Sequence, residues 1–191
     1  MVFFVAGMIF GCVLGYMVAN ASSSAPRPAP PAVAAAPAAP AAGGRSAPSD
    51  PDPNELHALE SLAQKQANNA DVRKQLGNLW MDHSRFEDAA RWYREALALT
   101  PDDNDARVDL GACLVNLGRA SDGLAEFEAA LKRDPNHKKA LFNKGVALIE
   151  SGRPKDAVAV WEDMLKRFPG DPMLAGLKEQ IDQVRASAKA S

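Results

Sequence analysis

The sequence predicts an all-α protein, an α-solenoid of three helix-turn-helix repeats with a capping helix on each side. Residues of the same type recur every 34 positions through the middle of the chain, which indicates an internal repeat. Within each copy, apolar residues follow one another at three- and four-residue steps, the spacing of one helix face. A proline closes each copy. The recurring columns are Gly77, Gly111 and Gly145; Asp88, Asp122 and Asp156; Tyr93, Phe127 and Trp161; Leu97, Leu131 and Leu165; and Pro101, Pro135 and Pro169.

Residues 1–20 are predicted to form a transmembrane anchor. Val2 to Ala19 is a run of eighteen residues without a charge, just long enough to cross a bilayer core. A cleaved export signal would use Ala19-Asn20-Ala21 as its small-residue site, but no basic segment precedes the apolar run. A lipoprotein signal would use Cys12, but the run continues beyond it and Phe10 is bulky for such a site. An uncleaved single-span anchor fits the run best.

Small residues at four-residue spacing form one stripe along this predicted span. Such a stripe lets two membrane helices approach closely. We therefore expect the span to pair, either as a homodimer or with another membrane subunit. The alternative, that glycine is simply common in membrane spans, stays open. The stripe consists of Gly7, Gly11, Gly15 and Ala19.

Residues 21–50 form an Ala/Pro-rich segment that is predicted to be a disordered linker. Val33 is its only larger apolar residue, so the segment has nothing with which to build a core. Frequent proline favours an extended polyproline II conformation and a semi-rigid spacer. A proline-rich recognition motif is the less favoured alternative. As a spacer, the segment would hold the repeats away from the membrane.

Residues 51–69 are predicted to be the second half of an incomplete leading repeat. Asp52, Pro53 and Glu55 together form a good helix start, with a capping residue, a proline in the first turn and a carboxylate. Apolar residues then follow at helical spacing. Asn68-Asn69 ends this helix at the place that Asp102-Asp103 holds one repeat later. We expect this helix to cover the first helix of the first repeat.

The three repeats are predicted at residues 70–103, 104–137 and 138–171. In the middle copy one apolar helical face precedes Gly118 and a second follows it, and Pro135 ends the second helix. Glycine inside a helix costs up to about 1 kcal/mol relative to alanine. Its recurrence in the first helices therefore indicates that each glycine admits the large aromatic side chain of the paired helix. A small residue, Ala89, Gly123 or Ala157, recurs in the second helix for the same reason.

These features resemble the tetratricopeptide repeat. In the middle copy the resemblance rests on Leu110-Gly111, Phe127, Ala130-Leu131 and Pro135, together with the period of 34. Lys144, Gly123 and Met164 depart from the family pattern. The resemblance covers just over half of the chain and implies an α-solenoid. It implies little about activity, because one fold can carry many functions.

Residues 172–188 are predicted to form a C-terminal capping helix that opens at Pro172. Its apolar residues recur at helical spacing and would face the stack, while the charged residues between them would face water. Such a helix closes the exposed end of a repeat array. The apolar residues are Leu174, Leu177, Ile181 and Val184.

Composition argues against several classes of function. The net charge of −2 argues against a dedicated nucleic-acid binder. Cys12 and Cys113 are far apart in sequence, and neither belongs to a CxxC metal-binding pattern. Cys113 lies on the apolar face of its helix and is predicted to be a small core residue. No clustered acid, base or nucleophile appears, so we expect no enzyme activity, no metal and no cofactor.

The resemblance also implies a partner-binding groove, because the first helix of each tetratricopeptide repeat lines the concave face. The first-repeat side of this groove is polar, and the other side is apolar. Such a groove suits an amphipathic helix or an extended apolar peptide of a partner protein. The alternative for each apolar position is packing against a neighbouring helix. The predicted lining residues are Lys74, Asn78, Met81, Val108, Ala112, Val115, Phe142, Asn143, Val146 and Ile149.

A carboxylate clamp is a second possibility that the resemblance raises. Chaperone-adaptor members of the family hold the C-terminal carboxylate of their ligand with lysine, asparagine and arginine side chains. The matching positions here are Lys74, Asn78, Asp109, Lys139 and Asn143. The clamp is disfavoured, because Asp109 would repel a carboxylate.

The expected function is that of a bacterial, membrane-anchored scaffold that binds another protein. The first specific possibility is an envelope assembly subunit, since cytochrome c maturation and related complexes contain similar anchored subunits. A general envelope scaffold, for pilus, secretion or outer-membrane assembly, fits equally well. A secreted soluble adaptor is the alternative if residues 1–20 are cleaved. Arg27 and Arg45 after the span mildly favour a cytoplasmic C-terminus. The long spacer and the resemblance favour a periplasmic repeat domain on the inner membrane.

Overall fold

The computed structural model describes residues 47–190, and within them the chain is all-α, without any strand. This confirms the predicted fold class. No helix in this part of the chain is both long and apolar enough to span a bilayer. The predicted anchor at residues 1–20, its small-residue stripe and most of the linker lie outside the described residues. The elements are α1 (Pro53–Lys65), α2 (Ala70–Asp82), α3 (Phe86–Leu99), α4 (Asn104–Asn116), α5 (Ala120–Arg133), α6 (Lys138–Glu150), α7 (Pro154–Arg167), a 3-10 turn (Pro172–Leu174) and α8 (Leu177–Ala190).

Three helix pairs, α2–α3, α4–α5 and α6–α7, stack in chain order and share a continuous core. Each helix packs against the next one, and α4 also touches α6. One apolar cluster joins α2, α3 and α4, a second joins α4, α5 and α6, and a third joins α6 and α7 to α8. Leu131 and Val146 contact both the second and the third cluster. No pair is buried without its neighbours, which is the defining property of a solenoid.

The glycine in each first helix accommodates the aromatic ring of its partner helix, as predicted. A Cβ atom added to Gly77 would lie 2.7 Å from the Tyr93 ring, and one added to Gly111 would lie 2.5 Å from Phe127. Gly145 meets Trp161 in the same way. Real Cβ atoms essentially never come that close, so a side chain at these positions would force the helices apart.

Four polar residues, spaced 34 positions apart, cap the starts of the three first helices and of the C-terminal 3-10 turn. Asn69 accepts a hydrogen bond from the backbone N–H of Asp71 at 3.0 Å, and Asp103 accepts one from Ala106 at 2.9 Å. The other two members of this column are His137 and Asp171, which cap α6 and the 3-10 turn. The caps satisfy backbone donors that would otherwise have no partner.

The turn between the two helices has the same backbone geometry in all three repeats. Its central residue has a positive φ, 58° at Ser84, 75° at Gly118 and 72° at Gly152. Left-handed backbone is the conformation that glycine adopts without a steric penalty, and serine does so less readily. The turn of the first repeat therefore differs from the other two in carrying a side chain.

The C-terminal end is closed by α8, although this helix starts later than predicted. Pro172 opens only a 3-10 turn, and Gly176, with φ of 82°, separates that turn from the helix at Leu177. A residue with positive φ interrupts a right-handed helix, which explains the break. The four apolar residues predicted to face the stack do so, with exposures of 6%, 2%, 2% and 3% for Leu174, Leu177, Ile181 and Val184.

The N-terminal end begins at the predicted start. Asp52 accepts a hydrogen bond from the Asn54 N–H at 2.7 Å, and Pro53 occupies the first turn. The helix ends at Lys65, before the predicted Asn68-Asn69, because Asn69 is used to cap α2.

The residues just before α1 also have partners. The Ser49 hydroxyl lies 2.8 Å from Nδ1 of His83, the Ser49 N–H donates to the His83 carbonyl at 3.1 Å, and Asp50 pairs with Arg85. The last residues of the predicted linker are thus held against the turn between α2 and α3.

Candidate functional site

The helices α2, α4 and α6 present one open face. On each helix, the positions opposite the buried apolar stripe are exposed or half-exposed, and they recur in three columns of the 34-residue register. We call these nine residues the first-helix face. They are Gln75, Asn78 and Asp82 on α2, Asp109, Ala112 and Asn116 on α4, and Asn143, Val146 and Glu150 on α6.

Two of the predicted groove residues are buried in the core. Val108 has no exposed surface and Val115 is 8% exposed. Both belong to an apolar cluster with Phe127 of α5 and Ala140 and Ala147 of α6. The neighbouring first helix covers them, so the middle of the predicted groove lacks these two valines as ligand contacts.

The remaining predicted groove residues are accessible to different degrees. The structure leaves most of them half-exposed, and Asn78 is exposed. Four of them lie together on α6 and form an apolar and amide patch: Phe142, Asn143, Val146 and Ile149. Met81, Ala112 and Lys74 are half-exposed on α2 and α4.

The prediction missed four polar members of the first-helix face: Gln75, Asp82, Asn116 and Glu150. Asp82, Asn116 and Glu150 share one column, four residues beyond the column of Asn78, Ala112 and Val146. Three polar residues in register on the first helices are the signal that could have identified them.

Tyr93 orients the amide of Asn78. Its hydroxyl donates a hydrogen bond to Oδ1 of Asn78 at 2.6 Å. Burial of the ring raises the pKa of Tyr93 far above its ordinary value, so the hydroxyl stays a proton donor. With its oxygen occupied in this way, Asn78 keeps both amide N–H groups for an acceptor on a ligand.

Phe142 adjoins the apolar end of the face, and its ring is held in place by Trp161. Its ring stacks on that of Trp161 with centroids 5.7 Å apart and planes inclined by 23°. Trp161 in turn donates a hydrogen bond from Nε1 to the Phe142 carbonyl at 3.0 Å. The aromatic pair is therefore held by both the backbone and the side chain of α6, and its geometry is set before any ligand arrives.

The cations near the face are already paired. Lys74 contacts Asp71 at 3.1 Å and Asp103 at 2.7 Å, and Lys139 pairs with Asp109. The hydrogen bond to Asp103 is the main reason that the pKa of Lys74 is raised. A carboxylate ligand would have to displace an aspartate from each lysine, which argues against a carboxylate clamp here.

Cys113 is a core residue, as predicted. Its side chain is fully buried among the apolar residues of the first and second repeats. Burial raises the pKa of the thiol to about 12, so it stays protonated and unreactive at neutral pH.

Comparison with known proteins gives one family and several similar structures. The family model described as tetratricopeptide repeat matches residues 56–104, 74–124 and 108–172. No curated protein matches the sequence. The crystal structure of MamA is 18% identical with a TM-score of 0.58 and covers 70% of this chain and 82% of its own. YrrB, whose structure is titled a TPR protein with an unusual peptide-binding site, is 26% identical with a TM-score of 0.59, over 65% and 64% of the two chains.

A third similar structure contains a ligand. The first TPR of Spaghetti (RPAP3), bound to the HSP90 peptide SRMEEVD, is 17% identical with a TM-score of 0.55 and covers 63% of this chain and 91% of its own. At this level of identity, the similarity to MamA and RPAP3 is a similarity of fold.

Proposed function

This chain belongs to the tetratricopeptide repeat family, and from that premise we propose that it is a non-catalytic scaffold that binds a segment of a partner protein on the first-helix face. The bound segment is an amphipathic helix or an extended peptide with apolar side chains. Its apolar side contacts Val146 of this face and the adjoining Phe142 and Ile149 on α6. Its backbone is held by the amides of Asn78 and Asn143.

The observation that carries this proposal is the row of half-exposed apolar and amide side chains across three adjacent helices. Asn143 makes no hydrogen bond to any described residue, and Asn78 keeps its amide donors free. Free amides beside apolar surface match a peptide, which offers a backbone carbonyl or N–H at every residue. The family adds support, because YrrB has a peptide-binding site and the RPAP3 repeat domain is bound to a peptide.

The ligand is an internal segment rather than a C-terminal carboxylate. Lys74 and Lys139, which would receive a carboxylate, are both neutralised by aspartates. Asp82 and Glu150 of the same face form no ion pair with any described residue and leave it with negative charge. The face therefore favours a neutral or basic segment.

The wider setting that we propose is the bacterial envelope. Residues 1–20 anchor the chain in the inner membrane as a single span, and residues 21–50 hold the repeats in the periplasm. Support comes from the charge-free run of eighteen residues and the long Ala/Pro-rich segment that follows it. There the scaffold assists assembly of an envelope complex. A role in cytochrome c maturation and a cleaved, soluble adaptor are the narrower alternatives.

Capture of partners from membrane extracts by the full chain tests this proposal, with Asn143→Ala compared against wild type. Asn143→Ala should weaken capture about threefold to tenfold, the range expected for one lost hydrogen bond, without changing the melting temperature. Phe142→Ala is less suitable, because it also breaks the stacking on Trp161. In the same experiment, the intact mass of the chain used for capture shows whether residues 1–20 are retained.

The matched control is Gln183→Ala, which removes an exposed amide from α8, outside the first-helix face. Gln183→Ala should capture the partner as well as wild type does. Equal capture by the two variants would remove the first-helix face from consideration as the binding site.

A further inference from the structure

The loop before each first helix forms the same turn. Before α2, the Asn69 N–H donates to the Gln66 carbonyl at 2.9 Å, and the equivalent bonds in the next two loops are 3.1 and 3.2 Å long. Of the two residues in the middle of the turn, the first offers a backbone carbonyl and the second offers a side-chain oxygen. These middle residues are Ala67-Asn68, Pro101-Asp102 and Pro135-Asn136.

An arginine binds both oxygens in the second and the third of these loops. Arg133, at the end of α5, donates to the Pro101 carbonyl and pairs with Asp102 at 2.7 Å. Arg167, at the end of α7, donates to the Pro135 carbonyl at 2.6 Å and to the side-chain oxygen of the residue that follows it. A guanidinium suits such a pair of acceptors, because its N–H donors fork outward in one plane.

The first loop keeps the two acceptors and lacks the arginine. Leu99 stands 34 positions before Arg133, carries no donor and is 37% exposed. Among residues 47–190, the Ala67 carbonyl and the Asn68 side chain have no hydrogen-bond partner. Arg73 of α2 donates instead to the Asn69 carbonyl, at 3.1 Å. The acceptor pair that this chain fills twice with its own arginines is therefore unfilled here by any described residue.

An open cavity of about 620 Å³ lies at this loop. Ala67 and Asn68 line it, together with Thr100 from the loop one repeat later. Two aspartates and one lysine line it as well, and Lys74 contacts both aspartates, at 3.1 and 2.7 Å. The charges around the cavity thus nearly balance. The two oxygen acceptors, rather than net charge, decide what the cavity can bind.

We propose that the loop of Ala67 and Asn68 binds an arginine side chain of a partner protein, in the position that Arg133 and Arg167 hold in the two later loops. The guanidinium donates to the Ala67 carbonyl and to Oδ1 of Asn68. In the later loops the arginine comes from the end of a neighbouring helix, and a helix of a partner can present one in the same way. No residue of the first-helix face lines this cavity, so the two sites are separate.

The probe for this site is N-acetyl-arginine amide, which carries a guanidinium and no terminal charge. Its binding to the full chain is followed by a nuclear magnetic resonance titration. Asn68→Ala should bind the probe about threefold to tenfold more weakly than wild type, the range expected for one lost hydrogen bond. N-acetyl-lysine amide should bind wild type at least threefold more weakly than the arginine probe, because an ammonium group cannot fork onto two acceptors.

Leu99→Arg tests the register argument directly, because it restores an arginine to the column of Arg133. This variant should bind the probe at least tenfold more weakly than wild type and should melt at a higher temperature, since its own side chain occupies the loop. Leu99→Met adds no donor and should bind the probe within twofold of wild type. Equal binding by the two Leu99 variants would show that the loop does not accept an arginine, and would overturn the proposal.

The matched control for Asn68→Ala is Gln64→Ala, which removes an exposed amide of α1 that does not line the cavity. It should bind the probe within twofold of wild type, and a loss equal to that in Asn68→Ala would also overturn the proposal. Asn143→Ala should leave probe binding unchanged, which separates this site from the proposed function. A loss in Asn143→Ala that matches Asn68→Ala would place the probe on the first-helix face instead.

Two further arms identify other sources of the guanidinium. Free arginine that binds at least tenfold more tightly than the capped probe would assign the site to the amino acid itself. A gain in probe affinity in the Arg27→Ala/Arg45→Ala variant would assign it to this chain's own N-terminal segment. Either result would replace the partner arginine that we propose.

Discussion

The two ends of the solenoid are built differently. At the C-terminal end, α8 and the turn before it bury four apolar residues against the last repeat, each at most 6% exposed. At the N-terminal end, Ala63 is the one α1 residue that is buried, and its three leucines remain half-exposed. Within residues 47–190, the same register of apolar residues therefore closes the C-terminal end of the stack and leaves the N-terminal end partly exposed.

The difference shows that a capping helix needs an apolar side toward the stack and a polar side toward solvent. The helix α8 needs only one apolar side, and its outer side carries exposed charges such as Lys178, Glu179 and Asp182. In contrast, α1 keeps the pattern of an internal second helix, and no first helix packs on its Leu59 among residues 47–190.

The largest expected effect is on stability, and it compares an apolar residue from each end of the solenoid. Ile181→Ala should lower the free energy of unfolding by about 2–4 kcal/mol, because it leaves a cavity among buried apolar side chains. Leu59→Ala should cost only about 1 kcal/mol, since the leucine is half-exposed already. Urea unfolding followed by circular dichroism measures both. Equal losses would show that the two ends are equally closed, contrary to our comparison.

A smaller effect is expected at the turns of the first and third repeats. Gly152→Ser should destabilise the chain by about 1 kcal/mol, because serine is strained at positive φ. Ser84→Gly should stabilise it by less than about 1 kcal/mol, since the unfolded chain also gains freedom. Thermal melts of the two variants and wild type provide the measurement. Shifts of the same sign would mean that the two turns do not share one geometry.

The smallest effect concerns pH and the ion pair between Lys74 and Asp103 near the N-terminal end. Burial acts to raise the pKa of Asp103, but the Ala106 N–H and Lys74 outweigh it and hold this pKa below its ordinary value of 3.8. Stability from this carboxylate is therefore present above pH 3.8 and is lost as the pH falls through the lowered pKa. The pKa of Lys74 is raised above 10.5, so its contribution is present below pH 10.5 and is lost as the pH rises through the raised pKa.

Lys74→Met should accordingly reduce stability by less than about 1 kcal/mol at pH 7, and the difference from wild type should shrink in strong acid. Unfolding at a series of pH values measures this. Lys65→Met, which removes an exposed lysine with no ion pair among residues 47–190, is the control. A pH-independent difference would assign the effect to packing. At the C-terminal end, Lys138 pairs with Asp171 at 2.6 Å and lowers the pKa of that carboxyl in the same direction.

The contact between the glycine and the aromatic residue was predictable from sequence, because both residues recur together in all three repeats. A single glycine inside one helix would carry no such information. Gly77, Gly111 and Gly145 become informative because an aromatic residue follows each of them at the same distance. The sequence could therefore predict the fold and its closest helix contacts.

The candidate site was only partly predictable, because exposure depends on the neighbour across the helix boundary. Lys74, Val108 and Phe142 share one column, yet Val108 is fully buried and the other two are half-exposed. The small Ala140 and Ala147 on α6 allow close packing over Val108. A column predicts which way a residue points, whereas the size of the facing side chain decides how much of it stays exposed. The hydrogen bond from Tyr93 to Asn78 likewise depends on a distance that the register does not contain.

The contacts of Ser49 and Asp50 decide where mechanical load enters the solenoid. A force applied to the chain upstream of residue 47 reaches the bonds to His83 and Arg85 before it reaches α1. Those bonds lie on the turn between α2 and α3, so tension is first borne by a complete repeat. While these bonds hold, α1 lies outside the path of the applied force, although Ala63 is its only buried residue.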